Sequence, residues 1–351
     1  MENRRRRRWI GLAGLLTALL ALGVAVVWLR KSGKEEPLNY CIVYHPDYNI
    51  GLLGLEQLHP FDSRKYGRVF GALQRAGAFD EEGRLLSPDE ASRELLLKVH
   101  PAEYLDSLRS SRVVAYYVEV GPVALMPAGI VDRNLLRPMR LAAGGTLLAG
   151  REALQRDLAI NLGGGFHHAS SKEGGGFCVY ADITLAIRAL REEGLIRRAM
   201  IVDLDAHQGN GHETDFIGDD SVYIFDMYNA EIYPKADAAK AAIDCHLPLR
   251  MNTEGRDYLR ILRENLPAAI DAARPDLLIY NAGTDVYEHD PLGGLRLTRE
   301  DIIQRDADVL TEARRRGVPV LMLLSGGYTK ESHEVIAESL CGLLGLVYKP
   351  E

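Results

Sequence analysis

The chain has 351 residues, 47% of them hydrophobic and 26% charged, a composition that excludes a disordered or a fibrous protein. Its net charge of −7 is unevenly spread. Eight cationic side chains against Glu2 give residues 1–34 a charge of +7, which leaves −14 for the other 317. A body that acidic is a poor nonspecific binder of nucleic acid, which requires a positive surface. The four cysteines, at 41, 178, 245 and 341, form no CxxC, and this excludes a disulfide framework and a structural zinc finger.

Trp9 to Leu29 is an uncharged apolar run of 21 residues between Arg4–Arg8 and Arg30-Lys31. As a helix it would span ~30 Å, the thickness of a bilayer's hydrocarbon core. Trp9 and Trp28 stand near its ends, where interfacial aromatics belong. The run continues past the weak cleavage signal at Ala21-Leu22-Gly23, so the expectation is an uncleaved transmembrane anchor rather than a signal peptide. The excess of Arg before it predicts a single-pass membrane protein with its body on the extracytoplasmic side. The expected organisation is a basic segment (1–8), an anchor (9–29), a tether (30–37) and a catalytic domain (38–351).

From residue 38 onward apolar strands alternate with helices. Cys41–Tyr44 reads as a strand, 88–99 and 102–110 as helices, and 133–156 as a long helix with Asp132 as its N-cap. A unit of strand, Gly-rich loop and helix then recurs. Leu158–Leu162 runs into GGGFHH, Ala199–Asp203 into LDAHQGNG, Leu277–Tyr280 into NAGTD, and Val318–Leu324 into SGGY. Helices are expected near 181–193, 254–273, 299–316 and 330–345, with a further strand at Val222–Phe225. Strands apolar throughout and separated by helices imply a parallel sheet covered on both faces. The fold class is therefore α/β, one domain with a central, mainly parallel sheet.

In such sheets ligands bind at the carboxyl ends of strands. Four of these ends carry the most reactive side chains: His167-His168, Asp203/Asp205/His207, Asp285 and Tyr328. Asp205 and His207 with Asp285 make an O, N, O donor set, and three protein ligands with an open fourth position is the pattern of a catalytic zinc. Histidine titrates near neutrality, so the adjacent pair suits proton transfer to and from a water. Tyr328 opposite a metal is a candidate oxyanion donor.

The motifs NLGGGFHHASSKEGGGFCVYADITLAI, IVDLDAHQGNGHETDF, YNAGTD and LLSGGY resemble the zinc-dependent histone deacetylase family. With YNIGLLGLEQLHPFD, they are most similar to its class IV branch. The resemblance runs from about residue 39 to 347. It implies the arginase–deacetylase fold and one catalytic Zn2+ held by Asp205, His207 and Asp285. His168 would be general base and then acid, with His167, oriented by Asp203, as its electrostatic partner. Tyr328 would share the carbonyl oxygen with zinc, and Gly176 and Phe177 would line the acyl-lysine channel. A structural K+ would lie near Asp203 and Asp226. Class IV similarity favours long acyl chains over acetyl. The chain departs from many relatives in having Asn210, not Asp, behind His168, which gives that imidazole a weaker base-strengthening partner. The loop near 119–129 also lacks the Asp that many relatives use to grip a peptide.

The expected function is removal of acetyl or longer acyl groups from protein lysines. The alternatives are an acetylpolyamine or small acyl-amide amidohydrolase, and a non-catalytic membrane-tethered acyl-binding protein. Expected partners are the acyl-amine substrate and, through the anchor, a membrane, without nucleic acid. Cys178 reads as a buried thiol near the channel and the other cysteines as core. His59 reads as part of a turn, and His100, His246, His289 and His333 as surface or capping residues.

Overall fold

Eight strands form one parallel sheet in the computed structural model, which describes residues 37–350 apart from 53, 55 and 57–59. They are β1 (Tyr40–Val43), β2 (Leu85–Leu86), β3 (Leu158–Asn161), β4 (Ala199–Asp203), β5 (Val222–Asn229), β6 (Cys245–Leu249), β7 (Leu277–Asn281) and β8 (Val320–Leu323). Their spatial order is β2-β1-β3-β8-β7-β4-β5-β6. The central strands β3, β8, β7 and β4 are buried at every position, as their unbroken apolar runs require. The two edges are the strands that apolar runs do not announce. β2 has only two residues, and β6 alternates in exposure and contains Pro248.

Because side chains alternate across a strand, each face of the sheet carries its own buried layer. On one face Cys41, Ala159, Ile201, Ile224, Ile279, Leu321 and Leu323 pack with Leu147, Ile183, Ile187 and Leu190. The last four come from two helices described next. Ile42, Ile160, Met200, Leu278 and Met322 point to the opposite face and are equally buried.

The helices are α1 (Lys65–Ala76), α2 (Arg93–Leu96), α3 (Ala102–Ser107), α4 (Ser111–Tyr117), α5 (Ala128–Val131), α6 (Arg137–Ala153), α7 (Asp182–Glu192), α8 (Asn210–Asp215), α9 (Gly255–Ala273), α10 (Arg299–Arg315) and α11 (Ser332–Leu343). The helix expected over 88–99 shrinks to the four residues of α2, capped by Ser92, whose hydroxyl accepts from Leu95 N at 3.2 Å. Asp132 caps nothing. The chain is already helical at Ala128 and passes through a π-turn at Asp132–Leu136 into α6, while the Asp132 carboxylate pairs with Arg140 at 2.8 Å.

The membrane reading needs correction. No helix among the described residues is long and apolar enough to cross a bilayer. The longest, α9, has 19 residues and carries Arg256, Asp257, Arg260, Arg263, Glu264 and Asp271. The run expected as an anchor, 9–29, lies outside the described residues. The described residues thus form an α/β domain in which no helix is long and apolar enough to span a membrane. The single-pass, extracytoplasmic placement and the membrane as partner are not retained.

Candidate metal centre at the carboxyl edge of the sheet

The four reactive loops leave four neighbouring strands, β3, β8, β7 and β4, in the middle of the sheet. Adjacent strands are only ~4.8 Å apart. Loops from four remote stretches of sequence therefore meet over one small patch.

After β3 the backbone turns through Gly164 (φ +75°) and Gly165 (φ +77°). A Cβ at Gly164 would lie 2.4 Å from Thr146 Oγ1, so the turn has room only for glycine. The buried Asp182 carboxylate then accepts from Gly165 N (2.9 Å), Phe166 N (2.8 Å) and the Thr146 hydroxyl (2.7 Å). This fixes the backbone that presents His167 and His168.

Beyond β4 and β7, Asp205, His207 and Asp285 are all buried, and each offers a ligand atom within 4.8 Å of the other two. His207 Nδ1 lies 2.8 Å from Asp285 Oδ2 and 3.1 Å from Asp205 Oδ1. Burial and the neighbouring Asp205 carboxylate push the Asp285 carboxyl up. Burial also acts on Asp205, yet His167 and His207 hold it well below the usual carboxylate range. Two buried carboxylates facing one imidazole are costly by themselves, and a divalent cation relieves that cost. The donor set fits such an ion. It is the one group of this kind among the described residues, and the nearby His212 has its Nε2 2.9 Å from Asp203 Oδ2.

The two adjacent histidines differ in state. His167 Nδ1 lies 2.9 Å from Asp203 Oδ2, and although burial opposes it, the Asp203 and Asp205 charges raise its pKa to about 9. His168 Nδ1 lies 2.7 Å from the Asn210 amide oxygen. Burial and the neighbouring His167 and His207 push its pKa well below 6.5. Donation to Asn210 puts the proton of neutral His168 on Nδ1 and leaves Nε2 with a free lone pair. The two rings are 4.1 Å apart, and the ring of His207 stands 5.8 Å from His168 and 5.8 Å from Tyr328. Burial and the Asp205 and Asp285 charges keep the Tyr328 phenol protonated, well above its ordinary pKa.

Aromatic rings form the approach. Phe61 lies 5.0 Å from Phe177 and 6.0 Å from Tyr328. Gly176 (φ +52°) brings backbone against His168, where a Cβ would sit 2.3 Å from His168 Cδ2. Cys178 is a buried thiol on the same wall, and all four cysteines are free. Asp203 and Asp226 lie beneath. Asp203 Oδ1 accepts from Asp205 N and Asn281 Nδ2, and its Oδ2 faces His167 and His212, so each oxygen has two partners. Asp226 accepts from Gly209 N at 2.9 Å, and burial with the Asp203 and Glu213 carboxylates pushes it well up.

Among the supporting side chains that escape the sequence reading are Asp182, Asp290 and Lys65. Asp290 accepts from Tyr328 N at 2.8 Å. Lys65 is fully buried, donates to Ser325 O (2.7 Å) and Gly326 O (3.0 Å), and lies 4.5 Å over the Phe61 ring. Burial lowers its pKa to about 8. A signal existed: Lys65 falls on the helical face of Val69, Ala72 and Leu73, where a charge is out of place. His100 also departs from the surface reading. It is 1% exposed, with Nδ1 2.9 Å from Ser171 O and Nε2 accepting from Ala181 N.

A buried carboxylate–imidazole–carboxylate set beside a neutral imidazole and a protonated phenol is equipment for metal-assisted hydrolysis. Residues 59–344 match the family model described as Histone deacetylase domain. The chain is 49% identical over 299 residues to histone deacetylase 2 of Arabidopsis thaliana, covering 85% of this chain and 77% of that protein. It is 27% identical over 301 residues to human histone deacetylase 1, covering 82% of this chain and 61% of that one. The crystal structure of the HDA15 HD domain superposes with a TM-score of 0.70 at 22% identity, over 89% of this chain and 91% of that one, a likeness of fold. The chain belongs to the histone deacetylase family. It is a hydrolase of acyl-amide bonds, a lysine deacetylase in type, on the α/β fold that the motifs imply.

Proposed function

We propose that this is a zinc-dependent lysine deacylase in which Asp205, His207 and Asp285 hold the ion, His168 moves the proton and Tyr328 receives the developing oxyanion. The observation that carries the reading is the convergence of three buried ligand atoms within 4.8 Å, next to an imidazole held neutral by burial and by the neighbouring His167 and His207. When bound, zinc supplies Lewis acidity that polarises the amide carbonyl and acidifies a water. His168 Nε2, its lone pair free, accepts the water's proton and later returns it to the leaving amine. His167, charged against Asp203, keeps His168 a weak enough base to release that proton. The Tyr328 hydroxyl donates to the carbonyl oxygen as it gains charge. The channel walls Phe61 and Phe177 accept the aliphatic stem of lysine. A potassium ion beside Asp226 would replace the proton that this buried carboxyl otherwise keeps.

The substrate reading rests on the mouth. A cavity of about 600 Å3 adjoins His168 and is lined by Tyr116, Glu119, Glu173 and Tyr233 among others. Carboxylates and aromatic faces favour a cation near the acylated amine. A basic peptide has one, and so does an acylpolyamine, which keeps the small-amide reading as the second. Class IV similarity supports a long acyl chain. The test is a hydrolysis screen of lysine peptides acylated from acetyl to myristoyl, run beside acetylpolyamines, with bound metal measured. Turnover of peptides with one equivalent of zinc is the expected result. Preferential turnover of acetylpolyamine would reassign the substrate, and a folded protein that takes up no divalent ion would end the reading.

A further inference from the structure

No step above uses Arg305, a fully buried guanidinium on α10. It lies on the apolar face of that helix, with Ile302, Val309 and Ala313. Its Nη1 donates to Gly283 O at 2.6 Å and to Leu204 O at 3.2 Å. Leu204 precedes Asp205, and Gly283 stands two residues before Asp285. One guanidinium nitrogen therefore grips the backbone of both loops that deliver a carboxylate. The grip is braced from behind. Arg305 Nε donates to Asp306 Oδ1 at 2.9 Å, and the Tyr280 hydroxyl donates to the same oxygen. The Tyr258 hydroxyl of α9 reaches Leu204 O at 3.4 Å.

The loops so held are in contact. Ala206 N donates to Asp285 Oδ1 at 2.9 Å, and a Cβ on Gly283 would lie 2.2 Å from Asp205 Oδ2. Asp205 and Asp285 present oxygens within 4.8 Å of each other, carboxylates that close repel, and a loop free to relax would carry one away from the other. We propose that Arg305 is a positioning residue of the metal centre: its hold on the Leu204 and Gly283 carbonyls sets the spacing of Asp205 and Asp285 before any ion arrives. A site spaced in advance binds its ion without the cost of drawing the loops together. The neighbouring Asp306 balances the charge of Arg305, so the effect is one of geometry.

The inference rests on the metal reading of the site, and the test separates the two. Zinc affinity is measured by competition with a chelating fluorophore on the full chain, and metal-free stability by urea unfolding. The proteins are wild type, Arg305→Met, Arg305→Lys and, as a control, Leu340→Ala, a core truncation in α11. Outer partners of a metal centre are worth about ten- to one-hundred-fold in affinity. The expected result is zinc binding weakened by about ten-fold or more in Arg305→Met, partly restored in Arg305→Lys, and unchanged in Leu340→Ala despite its lost stability. Should Arg305→Met fail to fold, Arg305→Lys decides, with a weakening clearly beyond about two-fold expected. Zinc affinity within about two-fold of wild type in the folded Arg305 variants overturns the positioning role and leaves the metal reading intact. Wild type that binds no zinc overturns the metal reading itself.

Discussion

Two regions built from the same strands obey opposite rules. Between the sheet and helices α6 and α7 the packing is mainly apolar: Ile201, Ile279, Leu321 and Leu323 meet Leu147, Ile187 and Leu190, and only at the carboxyl end of β3 does Asn161 donate to Ala142 O and Thr146 Oγ1. At the carboxyl ends of those strands stand Asp203, Asp205, His207, Asp285 and, behind them, Lys65 and Arg305, all buried to a similar degree. The apolar layer needs shape and nothing else. The polar edge survives burial because most of its charges find opposite charges, N–H groups or carbonyls, and its one concentrated imbalance is where an ion fits. The separation teaches that stability and chemistry are lodged in different ends of each strand, and it can be tested piece by piece.

The largest effect is expected from His168→Ala, which removes the proton carrier. Turnover should fall by about 10³–10⁴ with the unfolding midpoint and zinc content unchanged. Tyr328→Phe should cost about 10²–10³ in kcat, again without loss of stability. Full activity in that variant would strike the phenol from the mechanism. Leu321→Ala inverts the pattern: about 2–5 kcal/mol of stability lost to a cavity, with kcat at 25 °C close to wild type. If its kcat collapsed while the protein stayed folded, the two regions would not be separable.

The boundary between them is probed by pH. His100, buried behind the Ala181 backbone, is pushed down to about 4 by burial. An unfolded histidine titrates near 6.5, so below that pH the unfolded chain binds the proton first. Stability contributed by neutral His100 is therefore present above about pH 6.5 and lost as pH falls toward 4, by on the order of 3 kcal/mol at most. Urea unfolding between pH 7 and 5 should show a shallower loss in His100→Gln. The smallest effect is expected from Asn210→Asp. A carboxylate beside His168 Nδ1 raises its basicity, so the base gives up its proton at higher pH. The acid limb of kcat/KM should move up by about one pH unit, and an unmoved limb would detach Asn210 from the base.

Much of the polar edge is legible before any coordinates. The runs LAINLGGG, AMIVDLDAH, LLIYNAGTD and VLMLLSGGY each join a buried strand to a reactive loop, and a parallel sheet brings such loops to one side. What sequence alone hides is the support. Lys65, Arg305, Asp182 and Asp290 belong to residue types that usually mark a solvated surface, and only their position on an apolar helical face, as for Lys65 and Arg305, betrays burial. Edge strand β6 is obscured because half of its side chains face solvent. The expected helix at 88–99 fails for a local reason, since Ser92 starts a helix that ends within one turn. The membrane anchor falls on residues 9–29, outside those described, and no helix among the described residues can serve in its place.

The strand order carries a kinetic consequence. β4 pairs with β7, joining residue 199 to residue 277, so the two loops that carry the metal ligands meet only across a long stretch of chain. Non-local parallel pairing of this kind forms late and slowly. A nascent or partly folded chain therefore offers a metal no assembled pocket, and the ion can reward the finished fold without guiding it. Refolding should proceed at the same rate with or without zinc, while zinc slows unfolding.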